Sequence, residues 1–392
     1  MTHQKTYFKN LDAIRFIAAA MVILQHAISP SFEYLPKDTF IYKILMLCCD
    51  GGLGVSIFFI LSGFLITYLL IEEFEITGKI ALGKFYMRRV LRIWPLYYMV
   101  LLIVFSYPFI KQLLHTDNPL ASNIYYHLSF LSNFDVMHNK QLGLENLAGS
   151  QSINWSVSVE EQFYLLWPLV FAFSPRKVWG YNMIALLIFS ITFRLINYTD
   201  TFILYFHTCA VLVDLVLGAL LAYLIHQFIY VKTFFQSTST YSHSVLLLSI
   251  FVLVYFYYDI FDFKYGLALG RLFISFFIAC FIAAQAMTQS ESFMNLKNLS
   301  FASSWGKYTY GIYLIHPIII TAISVIVKLL QIPEDSFMSR LFIGIVICLI
   351  TLIISRLSYK YFEMPFLRLK DRFGFLSVSD NNIMYREYRN PV

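Results

Sequence analysis

A chain of 392 residues that is 59% hydrophobic and only 13% charged, with a mean hydropathy of +0.66, cannot close as a water-soluble globule, which usually carries about 25% charged residues. Its net charge of +6 gathers in particular loops instead of forming a basic face, so a nucleic-acid partner is not expected. Five cysteines (Cys48, Cys49, Cys209, Cys280 and Cys348) are scattered in or beside apolar segments; their spacing predicts neither a zinc site nor a disulfide framework, and no metal is expected.

The N-terminus has the outline of a signal peptide: Lys5 and Lys9, then an apolar run from Phe16 to Leu24. Arg15 and His26 bracket that run and no small-residue cleavage site follows, so a retained first helix is expected. In chain order, apolar runs long enough to cross a bilayer lie near residues 12–29, 52–71, 95–112, 157–173, 179–196, 202–226, 244–260, 267–287, 309–330 and 340–362, about ten spans in all. Backbone groups in lipid must be satisfied within their own segment, so the spans are expected to be helices and the fold class all-α. Residues 1–372 read as one transmembrane domain without an internal repeat. Residues 373–392 read as a polar tail, expected to be cytoplasmic and disordered.

Loop charge sets the expected orientation. Lys5, Lys9, Lys79, Lys84, Arg88, Arg89, Arg92, Arg176, Lys177, Lys232, Lys297, Lys307, Arg368, Lys370 and Arg372 fall on one side, whereas the opposite loops hold Lys37, Lys43, Lys140 and Lys264, with Lys111, Lys328 and Arg340 at the span ends there, among acids such as Asp38, Asp50, Asp117, Asp135, Glu145 and Glu334. An excess of Lys and Arg marks the cytoplasmic face, which places both termini there. The outer segment 113–156 is the longest loop and has no motif to interpret.

Ionisable residues inside spans demand a reason, because each costs a few kcal/mol on insertion scales. Arg15 and His26 lie on nearly one face of the first span, about 16 Å apart along the axis, with Asp12 at its start, where helix N-termini favour carboxylates. In FYMRRVLRIWPLYY, Arg89 and Arg92 share a face beside Arg88. They serve either as positive-inside anchors or as a clamp for phosphates, which Arg binds by paired hydrogen bonds; Trp94, Tyr97 and Tyr98 read as an interfacial aromatic belt. In NWSVSVEEQFYLLW, Glu160, Glu161 and Gln162 enter an apolar helix, more polarity than a solvated helix start requires. His316 sits in YTYGIYLIHP near Tyr308, Tyr310 and Tyr313, with Pro317 expected to disturb the helix there. Asp214 and Arg271 are further buried charges, expected to pair with each other or with neighbours.

Taken together these segments resemble the bacterial integral-membrane acyltransferases (acyltransferase family 3) that O-acetylate O-antigen, peptidoglycan and other glycans. The resemblance covers about residues 8–370. It rests on LDAIRFIAAAMVILQH, GGLGVSIFFILSGFLIT, RRVLRI, WSVSVEEQFYLLWP, YTYGIYLIHP and SYKYFEMPFLRLK in that order, the fourth being the most specific. The sequence departs from the family at Leu212, where many members carry an Arg two residues before the acid that is here Asp214, so Asp214 is given no catalytic role. Some members carry a fused outer esterase-like domain; this chain stops after the tenth span, and it is expected to act alone or with a separate partner.

The resemblance implies that His26 is catalytic, that acetyl-CoA or another acyl-CoA is the donor, that a glycan or lipid-linked saccharide is the acceptor, and that the site is a bacterial inner membrane. Neutral histidine suits proton removal from a sugar hydroxyl; an acyl-histidine is the alternative use of the same ring. Glu160 or Glu161 would orient the imidazole or the sugar, with Glu160 preferred. Arg15, Arg89, Arg92, Tyr313 and His316 are the candidate donor-binding residues. Membrane lipids are the other expected partners, and self-association is left open. A secondary transporter or flippase of a polar solute would also need buried charges among many helices, but it leaves the paired arginines and WSVSVEEQFY unexplained. A non-catalytic membrane sensor is the third reading.

Overall fold

The computed structural model describes residues 8–113, 122–144, 154–288 and 294–374. Lys5, Asp117, Glu145 and the tail expected beyond Gly374 lie outside them. Among the described residues the secondary structure is helical. Ten long helices coincide with the runs read from the sequence: α1 (Lys9–Ala27), α2 (Gly51–Thr77), α3 (Leu82–Leu113), α4 (Trp155–Phe173), α5 (Trp179–Ile196), α6 (Thr208–Gln227), α7 (Thr240–Tyr255), α8 (Gly266–Met287), α9 (Thr309–Leu329) and α10 (Phe337–Ser358). Seven helical stretches among the described residues are long and apolar enough to cross a membrane. They become eight if α7 and the helix Ile229–Gln236, bent 95° from it, count as one span. The chain is an integral membrane protein on that composition. Helices α1 and α4, which carry the polar residues of the site, are not among those stretches.

Burial sorts the helices into centre and rim. The apolar window through α2 is 72% buried and that through α6 is 61% buried, against 22% for α5 and 17% for α10. A helix apolar on all sides belongs either in a core or in lipid, and here both cases occur. One side of α2 (Phe59, Ile66, Leu70) packs with Trp155, Trp167 and Leu215; the other (Ile60, Leu61, Phe64) packs with Val213, Ile278 and Ile282. Two glycines let α2 and α6 touch backbone to backbone: a Cβ on Gly63 would collide with the Leu215 carbonyl, and one on Gly218 with the Ile60 carbonyl. Helix α1 packs on α2, α9 and α10. Asp50 caps α2 by accepting from Leu53 N (2.8 Å), and Gly78, at φ +71°, ends it in the left-handed conformation that glycine adopts most readily.

Buried charges hold the rim to the centre. Arg271 donates to Asp214 Oδ2 from Nε (2.9 Å) and Nη2 (2.5 Å), and Ser275 donates to Asp214 Oδ1 (2.6 Å), the pairing expected from the sequence. Arg194, which the sequence reading passed over, donates to the carbonyls of Leu204, Ala210, Leu267 and Ala268 and so ties α5 to the starts of α6 and α8. Replacing Arg194 with methionine leaves those oxygens without that donor. The expected cost is about 1–3 kcal/mol, read as a lower melting temperature in detergent.

The segment between α3 and α4 holds two short helices, Ile124–Leu128 and Ser132–Gln141. Ser132 meets Ser158 (2.7 Å), and Gln162 donates to Phe130 O (2.8 Å) and Asn133 Oδ1 (3.0 Å). Gln162 in turn accepts from Thr208 (2.6 Å). Phe130, at φ +55°, is thus bonded by a side chain from the segment that carries Glu160 and Glu161. His127 and Asp135 form a buried pair at 3.3 Å.

Candidate active site

His26 stands near the end of α1 and opens onto a cavity of about 250 Å3. The lining is Val22, Gln25 and His26 of α1, Gly51 and Val55 of α2, Trp155 at the start of α4, Tyr205 and Phe206 ahead of α6, and Tyr313 of α9. His26 Nδ1 bonds to the carbonyl of Val22, one turn back, at 2.8 Å. A carbonyl only accepts, so the proton sits on Nδ1, and in the neutral ring Nε2 keeps the basic lone pair. Gln25 accepts from Gly51 N (2.5 Å), which fixes the end of α1 against the start of α2.

From the cavity a polar stripe descends one face of α4. Ser156, Glu160 and Tyr164 are spaced by four residues and so lie above one another, one turn apart. Ser156 bonds the Tyr313 hydroxyl (2.5 Å). Glu160 Oε1 accepts from Ser62 (2.7 Å), and Ser62 accepts from the Tyr164 hydroxyl (2.8 Å). The Arg89 guanidinium lies over the Tyr164 ring at 5.2 Å and over Phe85 at 5.7 Å, an arrangement that attracts a cation to the ring face. Glu161 turns toward α3 and accepts from Trp94 Nε1 (3.0 Å).

The candidates named from the sequence therefore fall into groups. His26, Tyr313 and His316 come together: the His26 and His316 ring centroids are 5.4 Å apart, and Tyr313 meets His316 edge-on at 6.0 Å. Glu160 and Glu161 of α4 form a second group with Arg89 of α3. Arg15 pairs with Asp12 (2.5 Å). Arg88 is held by Glu73 (3.1 Å) and Phe373 O (2.8 Å), while Arg92 is exposed. The carboxylate of Glu160 is bonded to Ser62 and the imidazole of His26 to its own helix, so the two are not joined directly by these bonds.

Two local expectations are corrected. Pro317 lies inside α9 without ending it; the proline removes one donor, and the tight packing of the surrounding turns, buried from Gly311 to Pro317, keeps the helix continuous. Tyr97 and Trp94 are not simple belt residues. Tyr97 is fully buried, stacks on Phe130 at 4.6 Å and donates to His127 O (2.9 Å), and Trp94 is the donor to Glu161.

Comparison with known proteins gives the family. The family described as "Acyltransferase domain" matches residues 8–358. The chain belongs to that family. It is similar to the O-acetyltransferase OatA of Staphylococcus aureus strains NCTC 8325, COL and MRSA252, each 28% identical over 375 residues covering 92% of this chain and 57% of the relative. The chain thus spans little more than half the length of these curated relatives. No solved structure matches it.

Several residues of this candidate site escaped sequence reading. Trp155 and Tyr164 stood inside the quoted segment, and Tyr164 carried a usable signal, its spacing of four from Glu160. Ser62, Tyr205 and Phe206 carried none: a serine in an apolar helix and aromatics in an apolar run are ordinary residues of a membrane protein.

Proposed function

We propose that this chain is a membrane O-acyltransferase. It moves an acetyl group from acetyl-CoA, entering from the cytoplasmic side, to a hydroxyl of a cell-surface glycan or its lipid-linked precursor. The observation that carries the reading is His26: an imidazole whose Nδ1 is committed to Val22 O and whose Nε2 lone pair belongs to a ring lining a cavity. In this reading Nε2 takes the acceptor hydroxyl proton as the oxygen attacks the thioester carbonyl. The new C–O bond forms, the C–S bond breaks, and the proton returns to the departing thiolate. Arg89 and Arg92 hold donor phosphates, and the stripe Tyr164, Glu160, Ser156 leads from them toward Tyr313 and His26. Glu160 acts on that path as a polar contact for the donor or the sugar. Ten spans with both termini cytoplasmic, in a bacterial inner membrane, is the matching topology. The likeness to O-acetyltransferases supports acetyl as the group transferred.

The test is transfer of labelled acetyl from acetyl-CoA into glycan lipids by membranes carrying the chain, compared with membranes lacking it. Solute uptake without a covalent product would instead support the transporter reading. Arg92→Ala removes an exposed cation with little structural role. It is expected to raise the KM for acetyl-CoA about tenfold with kcat little changed, the loss of one charge-assisted contact.

A further inference from the structure

His316 is fully buried, and its Nδ1 bonds to Ile312 O at 3.1 Å. That bond commits the ring to the same tautomer as His26, with the lone pair on Nε2. Among the described residues this Nε2 is sealed from solvent and has no hydrogen-bond partner, an arrangement rare enough in folded proteins to need a reason. The neighbouring ring is His26, at 5.4 Å between centroids and tilted by 43°. The two rings are not hydrogen-bonded through His316 Nε2 here, but ring nitrogens reach about 1 Å from the centroid, so the separation is short enough for an imidazole–imidazole hydrogen bond once the two nitrogens face each other. In the tautomers these bonds set, neither ring carries a proton on Nε2, so neither can donate from that atom. One added proton changes that: it makes His26 Nε2 a donor that the His316 Nε2 lone pair can accept.

We propose that His316 is a positioning residue for His26, the acceptor that shares the proton His26 takes during transfer. This rests on the acyltransferase reading above. The hydroxyl proton passes from the acceptor oxygen to His26 Nε2, and the N–H so formed is bifurcated between the substrate and His316 Nε2. It leaves on the thiol of the donor as the C–S bond breaks and the ester C–O bond forms, so no proton is gained or lost overall. His316 touches neither substrate. Its place behind the cavity is consistent with that, since Tyr313 lines the cavity wall and His316 does not. The Tyr313 hydroxyl is bonded to Ser156, so the ring that meets His316 edge-on is itself held in place.

The experiment uses the full purified chain with labelled acetyl-CoA and a glycan-lipid extract. It measures kcat, donor KM and melting temperature for wild type, His316→Phe, His316→Leu, His316→Gln and His26→Ala. Phe keeps an aromatic ring against His26 and Tyr313 but has no acceptor, whereas Gln can place an oxygen near the position of Nε2. His316→Phe and His316→Leu are expected to lower kcat 10- to 100-fold at unchanged donor KM, and His316→Gln to recover most of it. Wild-type kcat in the Phe variant, or equal impairment of Phe and Gln, overturns the proposal; so does a raised donor KM at unchanged kcat, which would make His316 a donor contact. Solid-state NMR of the 15N-histidine-labelled wild type supplies a second readout independent of variant folding. A coupling across an N–H···N bond between two imidazoles is expected once His26 is protonated, and its absence then overturns the proposal. Full activity in His26→Ala would sink the acyltransferase mechanism itself, whereas an inactive His26→Ala beside a normal His316→Phe would remove only the role given to His316.

Discussion

Replacing His26 with alanine is expected to abolish acetyl transfer, by about 10²–10⁴-fold, the span that a positioned acid–base group contributes. Acetyl-CoA binding is expected to survive, because Arg89 and Arg92, to which the proposal assigns the donor phosphates, lie on α3 and do not line the cavity. The fold is expected to survive as well, since the side chain lines a cavity and its bond, to Val22 O, lies within its own helix. Transfer and binding should therefore separate in this variant, measured as label in glycan lipid and as retention of labelled acetyl-CoA by purified chain. Label trapped on the wild-type protein after acid quenching, and absent from the variant, would mark the ring as a nucleophile that carries the acyl group instead of a base. Normal transfer by the variant would refute both uses.

The second large effect is on folding. Gly63→Ala and Gly218→Val drive a side chain into the backbone of the facing helix, into Leu215 O and Ile60 O respectively. Core overpacking costs typically about 1–3 kcal/mol and occasionally more, and a backbone oxygen cannot step aside as a side-chain tip can. Small residues at such crossings are what let membrane helices approach and gain dispersion contact. Neither variant is expected to give monodisperse protein in detergent. Gly83→Ala is the control: an added Cβ there meets nothing within 4 Å, and the variant should elute as the wild type does. Equal recovery of Gly218→Val and Gly83→Ala would show that α2 and α6 do not pack as closely as described.

The helices were legible in the sequence because runs of Leu, Ile, Phe and Val in lipid leave the backbone one solution. His26, Glu160 and Arg89 stood out because charge in such a run is costly. What the sequence could not reveal was who meets whom. Glu160 was expected to orient the imidazole or the sugar; its carboxylate is bonded to Ser62, a residue with no sequence signal, 98 positions earlier in the chain. Arg194 was passed over because one arginine near a helix end looks like an interfacial anchor; its role lies in four carbonyls from three separate segments. The described part of the segment between α3 and α4 looked featureless because polar side chains such as Gln162, Asn133 and Ser132 order it through long-range bonds, without an apolar period to read.

The turn Tyr359–Glu363 that follows α10 is wound as a π-helix and leads directly into the helix Met364–Lys370, which packs on α3. A π turn accommodates more residues per turn than an α turn does, so the chain here behaves as though one residue had been inserted into a continuous rod. Each residue of an α-helix advances the direction of a side chain by about 100°. The length of this stretch is therefore an angular setting. It determines which way Glu363 and the closing helix point, and with them the Phe373 carbonyl that receives Arg88. A change of one residue in length here would rotate the end of the domain relative to the arginine-bearing helix, while leaving every residue's chemistry unchanged.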